Sequence, residues 1–444
     1  MARFHLISLG CAKNLVDSEV MLGSMTSAGW ELMDNPEDAD LLILNTCGFI
    51  QSAVEEAITE IFELVRIKEQ FPGKKIVVVG CLVQRYKEKL KEELPEIDLF
   101  LGTEGAADIA EYVARMENDD RHGVVLLPGR NLMSSNTPRI ISTPAYRAWL
   151  KITEGCDNRC SYCMIPTIRG QLRSRTIDDL ISEALHLQEH GVRELSLVAQ
   201  DSTAYGNDLD KGENIVQLME QLLNRTSIPW LRLLYLYPTG ISDDLLQLMA
   251  GNPRIVPYLD IPMQHVNDKI LRSMNRRYGS EQLYATIGRI RNVLPDIALR
   301  TTFLVGFPGE TENDFLEIET FLRKMHLDHV GVFPYANEEG CPSETFADQL
   351  PEEEKLQRRD YLLGVQSELS EKIQKKYIGR VELVLVEGLS RETDLLLEGR
   401  SRYQAPEVDG CVYINEGVAN PGDIVQVRIT DTQVYDLIGG IVEQ

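Results

Sequence analysis

Along the first 135 residues, short continuous apolar runs alternate with segments in which apolar residues recur every three or four positions. Short apolar runs at 4–9, 41–45 and 75–79 predict strands, because a buried strand reads as a brief continuous apolar segment. Apolar residues spaced three or four apart predict helices at 17–28, 52–68 and 82–94. Strands that alternate with helices indicate an open parallel α/β domain, which we assign to residues 1–135.

The same alternation resumes near Arg147, after a polar segment at 118–145 that predicts a linker. Helices are expected between successive strands at 177–190, 213–223, 243–249, 280–293 and 312–325. The strands are expected at 147–152, 194–199, 232–236, 258–261, 298–305 and 329–333. Six such repeats indicate a partial parallel (β/α)6 barrel over residues 136–375, closed by a charged helix at 352–376.

After Gly379 the pattern changes to short strands separated by turn residues. These strands are expected at 380–388, 393–397, 410–414, 423–429 and 436–441. Five short strands in so few residues predict a small antiparallel β-barrel of the OB type over residues 376–444. The whole chain is therefore predicted to be of the α/β class, with a small all-β domain at its end.

Composition and charge narrow the possible functions. No apolar run approaches the roughly 18 residues that a membrane span needs, so we expect no membrane association. The first residues lack the apolar core and small-residue cleavage site of a signal peptide, so we expect a cytoplasmic protein. The 45 basic and 69 acidic residues give a net charge of −24, which argues against broad binding to phosphate backbones.

Three cysteines follow three predicted strands of the N-terminal domain: Cys11, Cys47 and Cys81. Because ligands collect beyond the carboxyl ends of parallel strands, three thiols delivered to that edge can converge on one metal group. Buried apolar thiols are common, and that is the alternative for any single one of them. Equivalent positions in successive βα units favour the metal interpretation.

Three more cysteines lie on one loop after the first barrel strand, with the spacing Cys156-x3-Cys160-x2-Cys163. Most electron-transfer [4Fe–4S] clusters have four cysteine ligands, so three thiols leave one iron open to another ligand. A structural zinc site is the alternative, but it wants four protein ligands, and no further Cys or His lies nearby in the sequence. Cys341 and Cys411 have no spaced partner, and we interpret both as structural.

These features together resemble the radical S-adenosylmethionine methylthiotransferases, and the resemblance covers essentially the whole chain. It implies an N-terminal cluster domain, a radical SAM domain and a C-terminal TRAM domain. The segments 8–19, 154–160, 198–203 and 258–265 are similar to the RimO-like branch, which methylthiolates an aspartate of ribosomal protein S twelve. The MiaB-like branch, which acts on tRNA adenosine, typically has Gln-Met-Asn where this chain has Ala12-Lys13-Asn14.

The resemblance also implies the cofactors and their ligands. Two [4Fe–4S] clusters are expected, an auxiliary one on the first three cysteines and one that binds S-adenosylmethionine on the second three. S-adenosylmethionine would supply both the methyl group and the adenosyl radical that removes a hydrogen from the aspartate β-carbon. The carbon radical would then capture the methylthio group. Expected contacts of S-adenosylmethionine are Tyr162, Gln200, Gly306 and Gly309.

The expected partners are ribosomal protein S twelve, either free or within the small ribosomal subunit, and an unidentified reductant; tRNA is not expected. Residues 375–444 hold seven basic and twelve acidic residues, 7 − 12 = −5, which makes a poor RNA clamp. Residues 139–175 hold seven basic and two acidic residues, 7 − 2 = +5, and either balance the anionic groups of the site or form a solvated face. A tRNA methylthiotransferase and a non-enzymatic iron–sulfur or zinc scaffold that binds ribosomes remain the alternatives.

Overall fold

The computed structural model describes residues 2–118, 123–126 and 132–442, and its first part is a six-stranded parallel sheet. The order of the strands is β2-β1-β3-β4-β5-β6. They are β1 (Arg3–Ser8), β2 (Glu31–Leu32), β3 (Leu41–Thr46), β4 (Lys75–Gly80), β5 (Leu99–Leu101) and β6 (Gly123–Val125). The helices are α1 (Ala12–Ser27), α2 (Gln51–Gln70), α3 (Cys81–Tyr86), α4 (Glu88–Glu93) and α5 (Ile109–Asn118).

The sheet is covered on both faces, which explains why its strands are continuous apolar runs. In β3, Leu42 and Leu44 pack in one core cluster, and Leu41 and Ile43 pack in another on the opposite face. The three strands predicted in this region are therefore confirmed. The short strands β2, β5 and β6 carry too few residues to show a period, and the sequence did not reveal them.

Two predicted helices of this domain differ from the structure. The helix predicted at 82–94 is broken at Lys87, whose φ of +51° lies in the left-handed region and ends α3 before α4 begins. The helix predicted at 17–28 begins five residues earlier, at Ala12. Its first turn contains Lys13 and Asn14, which are buried although polar, so the hydrophobic period starts later than the helix does.

The central region is a second six-stranded parallel sheet, curved as a partial barrel, in which all six predicted strands are confirmed. In sheet order they are β14 (His329–Pro334), β13 (Ala298–Val305), β12 (Ile255–Asp260), β11 (Trp230–Leu233), β10 (Glu194–Val198) and β7 (Arg147–Lys151). The short strands β8 (Thr153–Glu154) and β9 (Arg173–Ser174) pair beside it. The helices are α6 (Ile165–Arg169), α7 (Ile177–Glu189), α8 (Ile215–Arg225), α9 (Asp243–Gly251), α10 (Asp268–Ser273), α11 (Ser280–Val293), α12 (Glu312–Met325) and α13 (Glu352–Gln374).

The final region is a closed five-stranded barrel with the order β15-β16-β17-β19-β18. Its strands are β15 (Val381–Leu389), β16 (Leu397–Ser401), β17 (Val412–Glu416), β18 (Ile424–Thr432) and β19 (Leu437–Ile441). All pairings are antiparallel except that of β17 with β19. The strand predicted at 393–397 begins only at Leu397, because a turn at 394–395 comes before it.

The three regions share a buried interface. Trp149, Trp230 and Tyr258 on the barrel strands pack in one cluster with Val16 of α1 and Val384 of the C-terminal barrel. The helix α1 therefore lies against the strands of the central barrel, and its first turn lies near the ends of those strands. No helix in the described part of the chain is both long and apolar enough to span a membrane.

Each sheet lies within one of the three segments predicted from the sequence, 1–135, 136–375 and 376–444, and this division stays a proposal. The predicted linker at 118–145 falls partly on residues 119–122 and 127–131, which lie outside the described residues. Its described part includes β6 and the segment 132–145, where Arg139 and Ser142 bind Glu19 of α1.

Candidate active site

One cavity of about 380 Å³ lies between the first sheet and the barrel, and all six cysteines of the two predicted triads line it. The two expected cofactor contacts Tyr162 and Gln200 line the same cavity. All eight cysteines of the chain are free thiols. The cavity lies at the carboxyl ends of strands from both parallel sheets, where ligands bind in this type of fold.

The first triad follows three neighbouring strands, since β1, β3 and β4 are adjacent in the sheet and each ends one to three residues before a cysteine. Glycines make the close approach possible. A Cβ atom on Gly10 would lie 2.9 Å from the Cβ of Cys47, and one on Gly48 would lie 2.9 Å from the carbonyl carbon of Cys81. The cysteines therefore meet because the residues beside them lack side chains.

The second triad lies on the loop between β8 and α6, and hydrogen bonds hold this loop to its surroundings. Asn158 donates to Asp201 at 2.7 Å, and Asn275 donates to the carbonyl of Arg159 at 2.6 Å. The backbone amide of Ser161 donates to the carbonyl of Met274 at 3.1 Å. A loop fixed at several points presents its three thiols in a preformed arrangement.

An arginine contacts one thiol of each triad. The Nη2 of Arg169 lies 3.5 Å from the Sγ of Cys81, and the Nη1 of Arg276 lies 3.5 Å from the Sγ of Cys160. Arg276 also donates to Tyr278 and to the carbonyl of Pro262. Spacing did not single out either arginine, because each reaches its cysteine through the tertiary fold.

The basic segment 139–175 is neither a solvated face nor, for the most part, a lining of the cavity. Arg169 and Lys151 are both buried and share the carboxylates of Asp17 and Glu154. Arg139 pairs with Glu19 and Glu183, Arg173 with Glu104, and Arg175 with Asp179 and Glu183. Three of its seven basic residues, Arg139, Lys151 and Arg169, thus join α1 to the barrel, and Arg169 is its member on the cavity wall.

Burial sets the acidity of most of the thiols. Desolvation raises the pKa of Cys81 and of Cys156 to about 11 and that of Cys163 to about 12. Cys11 differs: although desolvation in the cavity wall raises its pKa, the positive charges of Lys13 and Arg169 outweigh that effect and lower it. Protonated thiols are expected to lose their protons when iron binds, since metals deprotonate coordinating thiols.

Two residues of the cavity wall have backbones in the left-handed region although they are not glycines. Tyr235, after β11, has a φ of +59°, and Gln264, after β12, has a φ of +70°. Such conformations cost about 1–3 kcal/mol and cluster at binding sites. Tyr235 places its ring 3.7 Å from the Nζ of Lys13, which reaches the cavity from α1.

Comparison with known proteins identifies the chain. Residues 3–102 match the uncharacterized protein family UPF0004, residues 150–322 the radical SAM superfamily, and residues 378–442 the TRAM domain. The chain is 62% identical to the ribosomal protein uS12 methylthiotransferase RimO of Desulfotalea psychrophila over 440 residues, 99% of each chain. It is 45% identical to the RimO of Pelobacter propionicus, over 100% of this chain and 98% of that one.

The chain belongs to the RimO family of radical S-adenosylmethionine methylthiotransferases. Its fold is also similar to solved structures at 14% identity. The radical SAM methyltransferase TsrM of Kitasatospora setae matches with a TM-score of 0.56, over 88% of this chain and 79% of that one. The radical SAM enzyme OxsB matches with a TM-score of 0.53, over 81% and 56%. The resemblance inferred from the sequence motifs is therefore confirmed.

RimO family members carry two [4Fe–4S] clusters and use S-adenosylmethionine, and the cavity has a suitable donor set. Each triad offers three thiols, which leaves one iron of a cubane open. Within the described ranges no three Cys, His, Asp or Glu side chains converge on a single metal ion.

Two predicted cofactor contacts lie elsewhere. Gly306 packs against Lys355 of α13, whose Cγ would lie 2.3 Å from an added Cβ, and Gly309 donates to the carbonyl of Asp348. Neither glycine is among the residues that line the cavity, and their contact with S-adenosylmethionine stays a prediction. Cys341 is buried in a cluster with Cys81, Met164 and Ile168, and it does not line the cavity. Cys411 lies just before β17 in the C-terminal barrel.

Proposed function

We propose that this chain adds a methylthio group to the β-carbon of an aspartate in ribosomal protein uS12. The observation that carries the proposal is the convergence of two incomplete cysteine triads on one cavity. The relatives at 62% and 45% identity are named as uS12 methylthiotransferases. A shared cavity allows the sulfur donor and the radical source to act on the same substrate carbon.

The two triads have separate roles in this proposal. Cys11, Cys47 and Cys81 hold the auxiliary cluster, and Cys156, Cys160 and Cys163 hold the cluster that binds S-adenosylmethionine. When bound, these groups supply hydrogen abstraction from carbon and the methylthio sulfur, which acid–base side chains cannot supply. The protein supplies the binding, the orientation and the exclusion of water.

Several side chains of the cavity perform that second task. Arg276 balances the negative charge of the second triad through its contact with Cys160. Its guanidinium also lies over the ring of Tyr237, at 4.4 Å from the ring centroid, which fixes it beside the triad. Tyr162 and Gln200 line the space beside the second triad, where we propose that they contact the bound S-adenosylmethionine.

Charge favours a protein substrate over tRNA. The segment 375–444 carries a net charge of 7 − 12 = −5, and the whole chain carries −24. Such a surface repels a phosphate backbone and complements a basic ribosomal protein. The non-enzymatic scaffold is not favoured, because such a scaffold has no need of two open triads in one chamber.

The wider setting of the reaction follows from the chemistry. We propose that uS12 is met either free or within the small ribosomal subunit, that a reductant of unidentified nature supplies electrons, and that tRNA is not a substrate. Eight free thiols favour a reducing compartment, so we propose a cytoplasmic location.

The test uses the reconstituted full-length enzyme under anaerobic conditions with S-adenosylmethionine and a chemical reductant. It is incubated in parallel with uS12 and with hypomodified tRNA, and both products are analysed by mass spectrometry. We expect a gain of one methylthio group on an aspartate of uS12 and none on the tRNA. A gain on the tRNA alone would reject the proposed substrate, and release of no 5′-deoxyadenosine under any condition would favour the scaffold.

A further inference from the structure

Lys13 is a buried lysine on the wall of the shared cavity. Only 6% of its surface is exposed, yet its ammonium has few partners. Among the described residues, Nζ donates to the carbonyl of Ala199 at 3.4 Å and lies 3.7 Å from the ring centroid of Tyr235. Its charge also acts on the thiol of Cys11 and on the carboxylate of Asp260, but neither accepts a hydrogen bond from it. An ammonium has three donors, and a buried charge is costly unless it is paired, so this arrangement leaves hydrogen-bonding capacity for a ligand.

The other charged side chains of the cavity are already occupied. Arg169 pairs with Asp17 and Glu154, and each nitrogen of the Arg276 guanidinium donates a hydrogen bond. Asp201 accepts from Asn158 and from both the backbone amide and the hydroxyl of Thr203. Among the cations of the described cavity wall, Lys13 is therefore the one best able to bind an anionic ligand.

The position of Lys13 relative to the two triads indicates which anion it binds. It lies two residues after Cys11 of the first triad, whereas Arg276 contacts Cys160 of the second. A cation beside the second triad suits the bound S-adenosylmethionine. A cation beside the first triad lies where the methylthio group must be delivered to the substrate.

We propose that Lys13 binds the side-chain carboxylate of the substrate aspartate and so selects an acidic residue for methylthiolation. This inference rests on the proposed function and adds the recognition element to it. The β-carbon of an aspartate is bonded directly to its carboxylate carbon. Holding the carboxylate at Lys13 therefore places the β-carbon near Cys11, Cys47 and Cys81.

Tyr235 supports the lysine in this role. Its left-handed backbone, with a φ of +59°, directs the ring toward the ammonium of Lys13. The ring and the carbonyl of Ala199 both belong to the barrel, whereas Lys13 belongs to α1. The ammonium is thus held between the two domains, and a charged hydrogen bond in this poorly hydrated place is stronger than one on the surface.

The test measures binding of uS12 to the cluster-loaded enzyme with S-adenosylmethionine and without reductant, so that no turnover occurs. Two forms of uS12 are compared, one with the modified aspartate and one with asparagine in its place. We expect Lys13→Met to weaken binding of the aspartate form by about 10- to 100-fold, because a charged hydrogen bond in a desolvated site is lost. The wild-type enzyme should bind the asparagine form weakly, and Lys13→Met should not distinguish the two forms. Lys13→Arg should retain part of the preference for the aspartate form.

Lys74→Met is the matched control. Lys74 is also a buried lysine of the N-terminal domain, donates to the carbonyls of Glu37 and Ala39, and lies over the ring of Phe71, but it does not line the cavity. Its replacement should leave the preference of the enzyme for the aspartate form unchanged.

Three results would overturn the inference. The first is equal affinity of wild type and Lys13→Met for the aspartate form, in an enzyme that does modify uS12. The second is an equal loss of affinity for both forms, which would show a structural role. The third is a tenfold loss of affinity for S-adenosylmethionine in Lys13→Met, which would assign the lysine to the cofactor. An enzyme that neither binds nor modifies uS12 would instead refute the proposed function, and this inference with it.

Discussion

The guanidinium of Arg169 lies 3.5 Å from the thiol of Cys81, although the two residues are 88 positions apart. Cys81 follows a strand of the first sheet, whereas Arg169 belongs to the central barrel region. Arg169 ends α6, the helix that follows the second triad, and Cys81 belongs to the first triad. The same arginine is held by the carboxylates of Asp17 and Glu154. One side chain thus connects the loop of one triad to a ligand of the other.

Replacement of Arg169 should therefore impair the first triad more than the second. In Arg169→Met, Cys81 loses its positively charged neighbour, and Asp17 and Glu154 keep only Lys151 as a cation. Breaking a buried ion pair costs about 3–5 kcal/mol, so we also expect lower stability. Iron content after anaerobic reconstitution and the electron paramagnetic resonance spectrum of the reduced protein measure the effect on each cluster.

Arg173→Met is a suitable control for that variant. Arg173 lies in the same segment and pairs with Glu104 across the same interface, but it does not line the cavity. We expect this variant to keep the iron content and the spectra of the wild type. Wild-type iron content and spectra in Arg169→Met would contradict the role that we assign to Arg169.

Acid should weaken the contact between the radical domain and the small C-terminal barrel. Glu194 accepts hydrogen bonds from Arg400 of that barrel and from Arg232, each at 2.6 Å. Burial raises its pKa, but the two guanidinium groups outweigh burial and lower the pKa from 4.5 to about 2. A lowered folded-state pKa stabilises the protein above the unfolded value, and this stabilisation is lost as pH falls from about 4.5 toward 2.

The shift corresponds to about 3 kcal/mol at neutral pH. Glu194→Gln should be less stable at neutral pH, because it leaves the buried Arg232 without its carboxylate and Arg400 with only Glu387. Its stability should also fall less than that of the wild type on acidification. Denaturant unfolding between pH 7 and pH 3 measures both effects. Glu189→Gln, at an exposed position of α7, should match the wild type. An unchanged pH dependence in Glu194→Gln would show that this carboxylate does not carry the acid sensitivity.

The sequence predicted the order of the larger elements because their hydrophobic periods are strong. The barrel strands are largely apolar, and amphipathic helices lie between successive strands. The short strands and the break at Lys87 were missed, because a two- or three-residue strand has no period and a left-handed residue in a polar helix leaves no apolar signal. The parallel pairing of β17 with β19 depends on closure of the barrel, which lies outside local sequence patterns.

The candidate site was predictable where chemistry follows spacing. The triads were visible because the loop spacing and the strand-end positions of the cysteines can be read directly from the chain. The sequence placed Arg169 in a basic segment that could balance the anionic groups of the site. The specific contacts of Arg169, Arg276 and Lys13 were not visible, because distant segments make them. The burial of Lys13 and Asn14 was a missed signal: polar residues at the start of an interface helix suggest contacts across that interface.

The central claim is that the two triads hold two clusters with different tasks in one cavity. Its most direct test measures 5′-deoxyadenosine and methylthiolated uS12 in Cys156→Ala and Cys47→Ala under anaerobic reduction. We predict that Cys156→Ala forms neither product, and that Cys47→Ala still forms 5′-deoxyadenosine but no methylthiolated uS12. Full formation of methylthiolated uS12 by Cys47→Ala would contradict the claim.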